Sequence, residues 1–280
     1  MIGCGSSRPN FLPLRKRVPE LPEVETVVRT LAPKLTGRRI VDAKFLSPHV
    51  VRQKFPVLRK RVRGQVVRSV ERHGKFIVLT LDRGLLVIHL GMTGKLLVDS
   101  EPGPYARAIF DLDRGLLVYD DIRHFGRIEW SEQLPKRAAA LGPDALHISL
   151  PDFLELLKAR RSRIKPLLLN QRFLRGMGNI YTDEALFEAR INPRAIAASL
   201  SKQRATRLHS AMLDILGTAI RLKGSSISDY VDVDGQRGTF QQQHQVYGRA
   251  GDACSICGTP IRRIVVGQRG THYCPKCQRS

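Results

Sequence analysis

Pro19-Glu20-Leu21-Pro22-Glu23-Val24-Glu25 is the stretch on which the reading of this chain turns. Beyond it, Val24, Val27, Val28, Leu31 and Leu35 recur at the spacing of one face of an amphipathic helix. Pro22 suits the first turn of that helix, Glu23 and Glu25 suit its positive end, and Gly37 ends it. Glu20 lies before the helix and is not needed to form it. Pro19 has a property that depends on what precedes it. As a first residue it carries a secondary amine, which can attack an electrophilic carbon and collapse to an iminium ion. Behind a peptide bond the same nitrogen is an unreactive amide.

Residues 1–18 are rich in Gly, Ser, Pro and Arg, carry no acid and show no periodicity. They are expected to be an unstructured extension or the product of a mis-set start. The chain changes character at Pro19, and the preceding Val18 is what a GTG initiation codon reads as internally. Trimming of an initiating Met before Pro would leave Pro19 free. The alternative is a genuine basic extension that touches nucleic acid.

The remaining composition points the same way. The 280 residues suffice for two domains with real cores. Lys and Arg number 47 against 25 Asp and Glu, a net charge of +22. Such a balance implies a polyanionic partner, nucleic acid first among them, or else a solvated basic surface. No apolar run reaches the ~18 residues a membrane helix needs, and the first residues lack the apolar core of a secretory signal. A cytoplasmic monomer is expected.

From Ile40 to Trp130 short Val-, Ile-, Leu- and Phe-rich runs alternate with Gly- and Asp-containing turns, a β pattern. Leu81-Asp82-Arg83-Gly84-Leu85-Leu86-Val87 recurs identically at residues 112–118. Each copy reads as a hairpin, and two such hairpins suggest a two-layer antiparallel sandwich. Residues 135–150 read as a linker. Helical patterns follow over about 151–160, 162–170 and 201–222, with another starting at Ile180 and capped by Asn179. Residues 224–242 form a polar loop longer than packing requires.

Cys254-x-x-Cys257, sixteen residues, then Cys274-x-x-Cys277 places two knuckles on one short hairpin. Four thiolates can enclose a zinc ion tetrahedrally and leave no open position, so one structural Zn²⁺ is expected. Arg269 sits near the hairpin tip, as a phosphate contact or as an exposed turn arginine. Gly178-Asn179 at a helix start is a natural phosphate seat or a plain cap.

Taken together, Pro19-Glu20-Leu21-Pro22-Glu23-Val24-Glu25, Gly178-Asn179-Ile180-Tyr181, Gln245-Val246-Tyr247-Gly248-Arg249 and the four-cysteine finger resemble the formamidopyrimidine-DNA glycosylase family. The resemblance spans Pro19 to the C-terminus in order. It implies an α+β multidomain protein. An N-terminal antiparallel β-sandwich with a leading helix (19–134) is followed by a linker (135–150), a helix-two-turn-helix domain (151–244) and a zinc finger (245–280). It also implies a bifunctional base-excision repair enzyme that removes oxidised purines from double-stranded DNA and then cleaves the abasic site.

The resemblance further assigns roles. Pro19 would be the Schiff-base nucleophile, Glu20 the general acid for sugar-ring opening, and Lys75 the lysine beside the lesion phosphate. Met92, Arg123 and Phe125 would fill the void left by an extruded base, which offsets the cost of unstacking it. Lys165 would approach the damaged nucleotide, Asn179 and Arg269 would clamp its phosphate, and Tyr247 belongs to the DNA-binding set. Residues 224–242 would cover the extruded base. His124 departs from the family pattern of a second basic residue after Arg123, and Ser228 departs within the loop.

Two other readings compete. The endonuclease VIII branch prefers oxidised pyrimidines; Leu21 and the long loop argue against it. A non-catalytic zinc-ribbon DNA-binding protein explains the charge and the cysteines, and it becomes the better reading if Pro19 is internal.

Overall fold

The computed structural model describes residues 18–227 and 230–279. The expectation for residues 1–17 and the Ser228 departure lie outside the described residues.

The first helix, α1 (Leu21–Leu35), follows from the apolar stripe, and its N-cap is Glu20. The carboxylate of Glu23 accepts the Glu20 N–H at 2.9 Å, which satisfies one orphan donor of the helix start. Two four-stranded antiparallel sheets follow. The first has the order β1 (Ile40–Phe45), β6 (Ala106–Leu112), β7 (Leu116–Asp121), β5 (Gly94–Val98). The second has the order β2 (Val67–His73), β3 (Phe76–Leu81), β4 (Leu85–His89), β8 (Arg127–Ser131). The repeated Leu-Asp-Arg-Gly-Leu-Leu-Val segment forms the β3–β4 hairpin in one sheet and the β6–β7 hairpin in the other. Between β1 and β2 a helix, α2 (Phe55–Val62), interrupts the expected run of strands.

The second half is helical: α3 (Lys136–Ala139), α4 (Leu150–Lys158), α5 (Ile164–Leu169), α6 (Asn179–Glu188) and α7 (Lys202–Arg221). Ser201 caps α7 by accepting the Arg204 N–H. The last element is a hairpin of β9 (Arg262–Val266) and β10 (Arg269–Tyr273). Its two-residue turn, Gly267-Gln268, has φ of 57° and 61°, the primed turn that suits the strand twist.

The way α1 is buried explains how the halves meet. Val24, Val27, Leu31 and Leu35 belong to the sandwich core, whereas Leu21 belongs to the core of the helical half. The Leu21 N–H also donates to the Gly176 carbonyl at 3.1 Å. The helix α1 is therefore a joint between two cores. A buried charge chain reinforces it. Arg72 of β2 reaches Glu25 of α1 at 2.7 Å and Asp144 of the connecting segment at 2.8 Å, and Arg175 joins Asp144 at 3.2 Å. Residues 224–242 are less loose than their composition suggested, because Tyr230 and Val233 pack into the sandwich core.

Candidate active site and nucleic-acid interface

Glu20 occupies the centre of the joint. Its side chain leaves its own helix and crosses to the start of α6, where its oxygens accept the Ile180 N–H at 3.1 Å and the Tyr181 N–H at 3.4 Å. The positive end of α6, read from sequence as a phosphate seat, is thus held by a carboxylate of the same chain. Gly178 makes this approach feasible: a Cβ there would stand 2.0 Å from the Glu20 carboxyl carbon. Burial raises the Glu20 pKa from 4.5 to about 7; the nearby Lys75 charge opposes the shift and Glu23 adds to it. Glu20 therefore holds its proton near neutrality, where a general acid is most useful.

Lys75 is the second residue of the β2–β3 turn and lies in the field of the same carboxylates. Burial lowers its pKa, Glu20 and Glu23 raise it, and Arg269 of the hairpin lowers it further. Residues from the sandwich, the joint and the zinc hairpin thus share one electrostatic field. Pro19 is buried beside Glu20, with Val18 attached to its nitrogen.

Met92, Arg123 and Phe125 meet on two neighbouring sandwich loops. The Arg123 guanidinium lies 4.6 Å from the Phe125 ring centroid and its Nη1 is 3.8 Å from Met92 Sδ. Phe125 is 45% exposed, far from the core packing that its residue type would otherwise suggest. Asp121, which sequence reasoning passed over, fastens the two loops. Its fully buried carboxylate accepts Thr93 Oγ1 at 2.5 Å, the Arg123 N–H at 3.2 Å and the Gly126 N–H at 2.8 Å. His124, between the two exposed residues, bonds Ser47 Oγ through Nδ1 at 2.7 Å.

Lys165, Asn179 and Tyr247 are placed differently. Lys165 is fully buried, and its ammonium donates to Asp183 Oδ1 at 2.5 Å and to the Gly270 carbonyl at 3.1 Å. Asn179 does not cap α6, since Gly178 is the N-cap. Its Nδ2 instead donates to the same Gly270 carbonyl at 2.9 Å. Tyr247 is buried, its ring 5.1 Å from that of His272. Arg269, beside Gly270, is exposed.

Two further acids make long-range contacts that their local sequence does not show. Glu23 accepts the Tyr181 hydroxyl and the Ser225 N–H (2.7 Å), which ties the start of the 224–242 loop to α1. Glu184 accepts the N–H groups of Gln245, Val246 and Tyr247 at 2.9, 3.1 and 2.7 Å, which anchors the entry to the zinc module. Burial raises the Glu184 pKa to about 7 against those hydrogen bonds. A carboxyl raised on folding contributes stability that is complete below its unfolded pKa of 4.5 and is lost as pH rises through about 7. Glu184→Gln is expected to flatten the decline in Tm between pH 5 and pH 8, as thermal melts would record. An unchanged slope would place the proton elsewhere.

The sulfurs of Cys254, Cys257, Cys274 and Cys277 all lie within 4.8 Å of one another, with Cys254–Cys277 at 3.9 Å and Cys257–Cys274 at 3.5 Å. A zinc ion bonded to four thiolates at ~2.3 Å separates them by about 3.8 Å, so the set fits a closed tetrahedral site. The site is that of one structural zinc ion, which the four cysteines would hold. Gln278 couples it to the helical half: its Oε1 accepts the Cys274 N–H at 2.8 Å and its Nε2 donates to the Ile191 carbonyl at 2.9 Å. Structural zinc supplies folding free energy. Chelation is expected to unfold the hairpin and weaken binding of duplex DNA on the order of tenfold to a hundredfold, the scale of one lost charge-assisted contact. Titration of DNA binding before and after zinc removal and restoration checks this.

Comparison with known proteins agrees over nearly the whole chain. Family models match in order: the formamidopyrimidine-DNA glycosylase N-terminal domain at residues 18–128, the formamidopyrimidine-DNA glycosylase H2TH domain at 140–231, and the zinc finger found in FPG and IleRS at 251–279. The formamidopyrimidine-DNA glycosylase of Solibacter usitatus is 52% identical over 264 residues, covering 94% of this chain and 100% of the relative. That of Geobacillus kaustophilus is 44% identical over 275 residues, with 94% and 100% covered. A Lactococcus lactis FPG variant in complex with Fapy-dG containing DNA superposes with a TM-score of 0.86 at 36% identity, covering 94% of this chain and all of that one. The Thermus thermophilus FPG protein gives 0.84 at 41% identity, with 93% and 98% covered. The two-sheet sandwich, the helical half and the cysteine hairpin are thus the parts of a known architecture, and the chain belongs to the formamidopyrimidine-DNA glycosylase family.

Proposed function

We propose that this protein is a bifunctional base-excision repair enzyme: it removes oxidised purines, 8-oxoguanine and formamidopyrimidines, from duplex DNA and cleaves the resulting abasic site. The observation that carries the reading is the buried Glu20 carboxyl next to Pro19, with Lys75 in its field and its pKa raised by burial. This reading requires a form in which Pro19 is the first residue. The family match begins at residue 18, and the Solibacter relative aligns along its whole length with 94% of this chain.

The chemistry follows from the pair. A terminal proline nitrogen is mostly protonated at neutral pH, with a pKa of about 8 for an α-amine. Transfer of that proton to the Glu20 carboxylate produces a neutral nucleophile and a protonated acid together. The amine attacks C1′ of the damaged nucleotide while Glu20 protonates the ring oxygen; the base leaves and a Schiff base forms. The iminium acidifies the C2′ proton, and β- then δ-elimination break the two flanking C–O bonds.

Within this scheme residues 19–134 carry the nucleophile and the void-filling loops. Met92, Arg123 and Phe125 enter the gap left by the extruded base. Lys75, Asn179 and Arg269 hold the lesion phosphate, and residues 224–242, tied down at Ser225 by Glu23, cover the base. Lys165, buried and within electrostatic reach of both Glu20 and Arg269, acts on the site through its charge, and Tyr247 packs in the core of the helical half. Protein beginning at Pro19 is expected to convert an 8-oxoguanine duplex into a one-nucleotide gap with phosphate at both ends, as strand mobility would show. Excision without strand cleavage would sink the lyase half. Preference for an oxidised pyrimidine would move the chain to the endonuclease VIII reading.

A further inference from the structure

The carboxylate of Asp183 is fully buried one helical turn into α6, and its hydrogen-bond partners lie on α5 and the zinc hairpin rather than at Glu20. Its oxygens are divided between two elements. Oδ1 accepts Lys165 Nζ of α5 at 2.5 Å; Oδ2 accepts the His272 N–H of β10 at 2.8 Å and faces His272 Nδ1 at 3.4 Å. Lys165 then donates onward to the Gly270 carbonyl at 3.1 Å, where Asn179 also donates at 2.9 Å. Three polar side chains of the helical half thus grip two successive outward turns of the hairpin backbone, at 270 and 272. Arg269, the residue before the doubly held carbonyl, is exposed and sits where its charge reaches Lys75.

Position matters here more than charge. The zinc site anchors the hairpin at its base, through Cys254, Cys257, Cys274 and Cys277. The tip has no metal and would swing about that base without a second support. Asp183 supplies it, and an ion pair buried on both sides has little purpose as a source of stability alone, since desolvation cancels most of its attraction. We propose that Asp183 is a positioning residue, which fixes the tip of the zinc hairpin through His272 and Lys165 so that the Arg269 guanidinium is held at the lesion phosphate. This rests on the reading of Arg269 as a phosphate contact.

The test measures binding of the full chain to a duplex carrying a stable abasic-site analogue, over a range of salt concentrations. Each phosphate contact contributes about 0.9 to the slope of log K against log salt. Arg269→Ala is expected to lower affinity and to reduce the slope by about that amount. Asp183→Asn, nearly isosteric, is expected to lower affinity and reduce the slope equally while still binding one zinc per chain. The double variant should be no weaker than either single one. Additive losses in the double variant would overturn the proposal, as would a wild-type slope for Asp183→Asn beside a lowered slope for Arg269→Ala. A wild-type slope for Arg269→Ala itself removes the phosphate reading and this proposal with it. If Asp183→Asn does not fold, Asp183→Glu keeps the pairing with Lys165 and shifts the carboxylate by one methylene. Weakened binding and a lowered slope with zinc retained support the proposal, and wild-type binding overturns it.

Discussion

Protein that starts at Pro19 is expected to form a borohydride-stable covalent adduct with an 8-oxoguanine duplex, and protein that keeps residues 1–18 to form none. The difference is a matter of kind. In the longer chain the Pro19 nitrogen is a tertiary amide, whose lone pair is delocalised into the Val18 carbonyl, and it cannot condense with an aldehyde. No rearrangement of neighbouring groups restores it. Binding should survive in both forms, because Lys75, Arg123 and Arg269 do not depend on the chain end, and residues 19–280 keep a net charge of +18 after the four Lys and Arg of residues 1–18 are lost. The pair of measurements, adduct on a denaturing gel and affinity by titration, therefore separates loss of chemistry from loss of recognition. Equal adduct from both forms, with intact mass showing residues 1–18 still attached, would transfer the nucleophile to an amine such as Lys75. Absence of adduct from both would favour the non-catalytic DNA-binding reading.

How much of this was legible in the sequence depends on how far apart the interacting residues lie. The stripe of α1, the repeated hairpins and the paired cysteines are local patterns, and the structure forms each of them. The helix α2 was not legible. Phe55-Pro56-Val57-Leu58 reads like the strands around it; in the helix Leu58 and Val62 are buried in the core and Phe55 packs against its edge. Asn179 at a helix start invites a capping role, but a carbonyl on a hairpin ninety-one residues away takes its side chain. The buried acids follow the same rule. Glu23 has a sufficient local reason to be acidic, yet its Ser225 partner lies 202 residues on. Asp183 and Glu184 sit in a helix buried on nearly every side, so no polar face marked them. The site is assembled by contacts that no window on the sequence contains.

Glu20→Gln, in protein that starts at Pro19, is expected to slow excision of 8-oxoguanine by about 10²- to 10⁴-fold, the usual contribution of a positioned general acid. Cleavage of a preformed abasic site should largely survive. The asymmetry has a chemical origin. Excision must open a sugar ring against a poor leaving group, and a proton on the ring oxygen lowers that barrier. An abasic sugar already equilibrates with its open aldehyde, so the Pro19 amine can condense without that proton. The substitution also preserves geometry: a glutamine carbonyl can accept from Ile180 or Tyr181 as the carboxylate does, and Gly178 leaves room for it. The pH profile supplies a second reading of the same residue. A raised carboxyl loses its proton as pH climbs through its folded value, about 7 with an amide at Pro19. A protonated amine at a free Pro19 pulls that value down, because it stabilises the neighbouring carboxylate. Wild-type excision should therefore fall on the alkaline side as the one proton shared by Glu20 and the Pro19 amine is lost, and that fall should vanish in Glu20→Gln while any acid-side limb from the amine remains. Single-turnover excision and abasic-site cleavage measured across pH decide the matter. If both activities drop together, Glu20 is an organiser of the α6 terminus and the acid must be sought elsewhere.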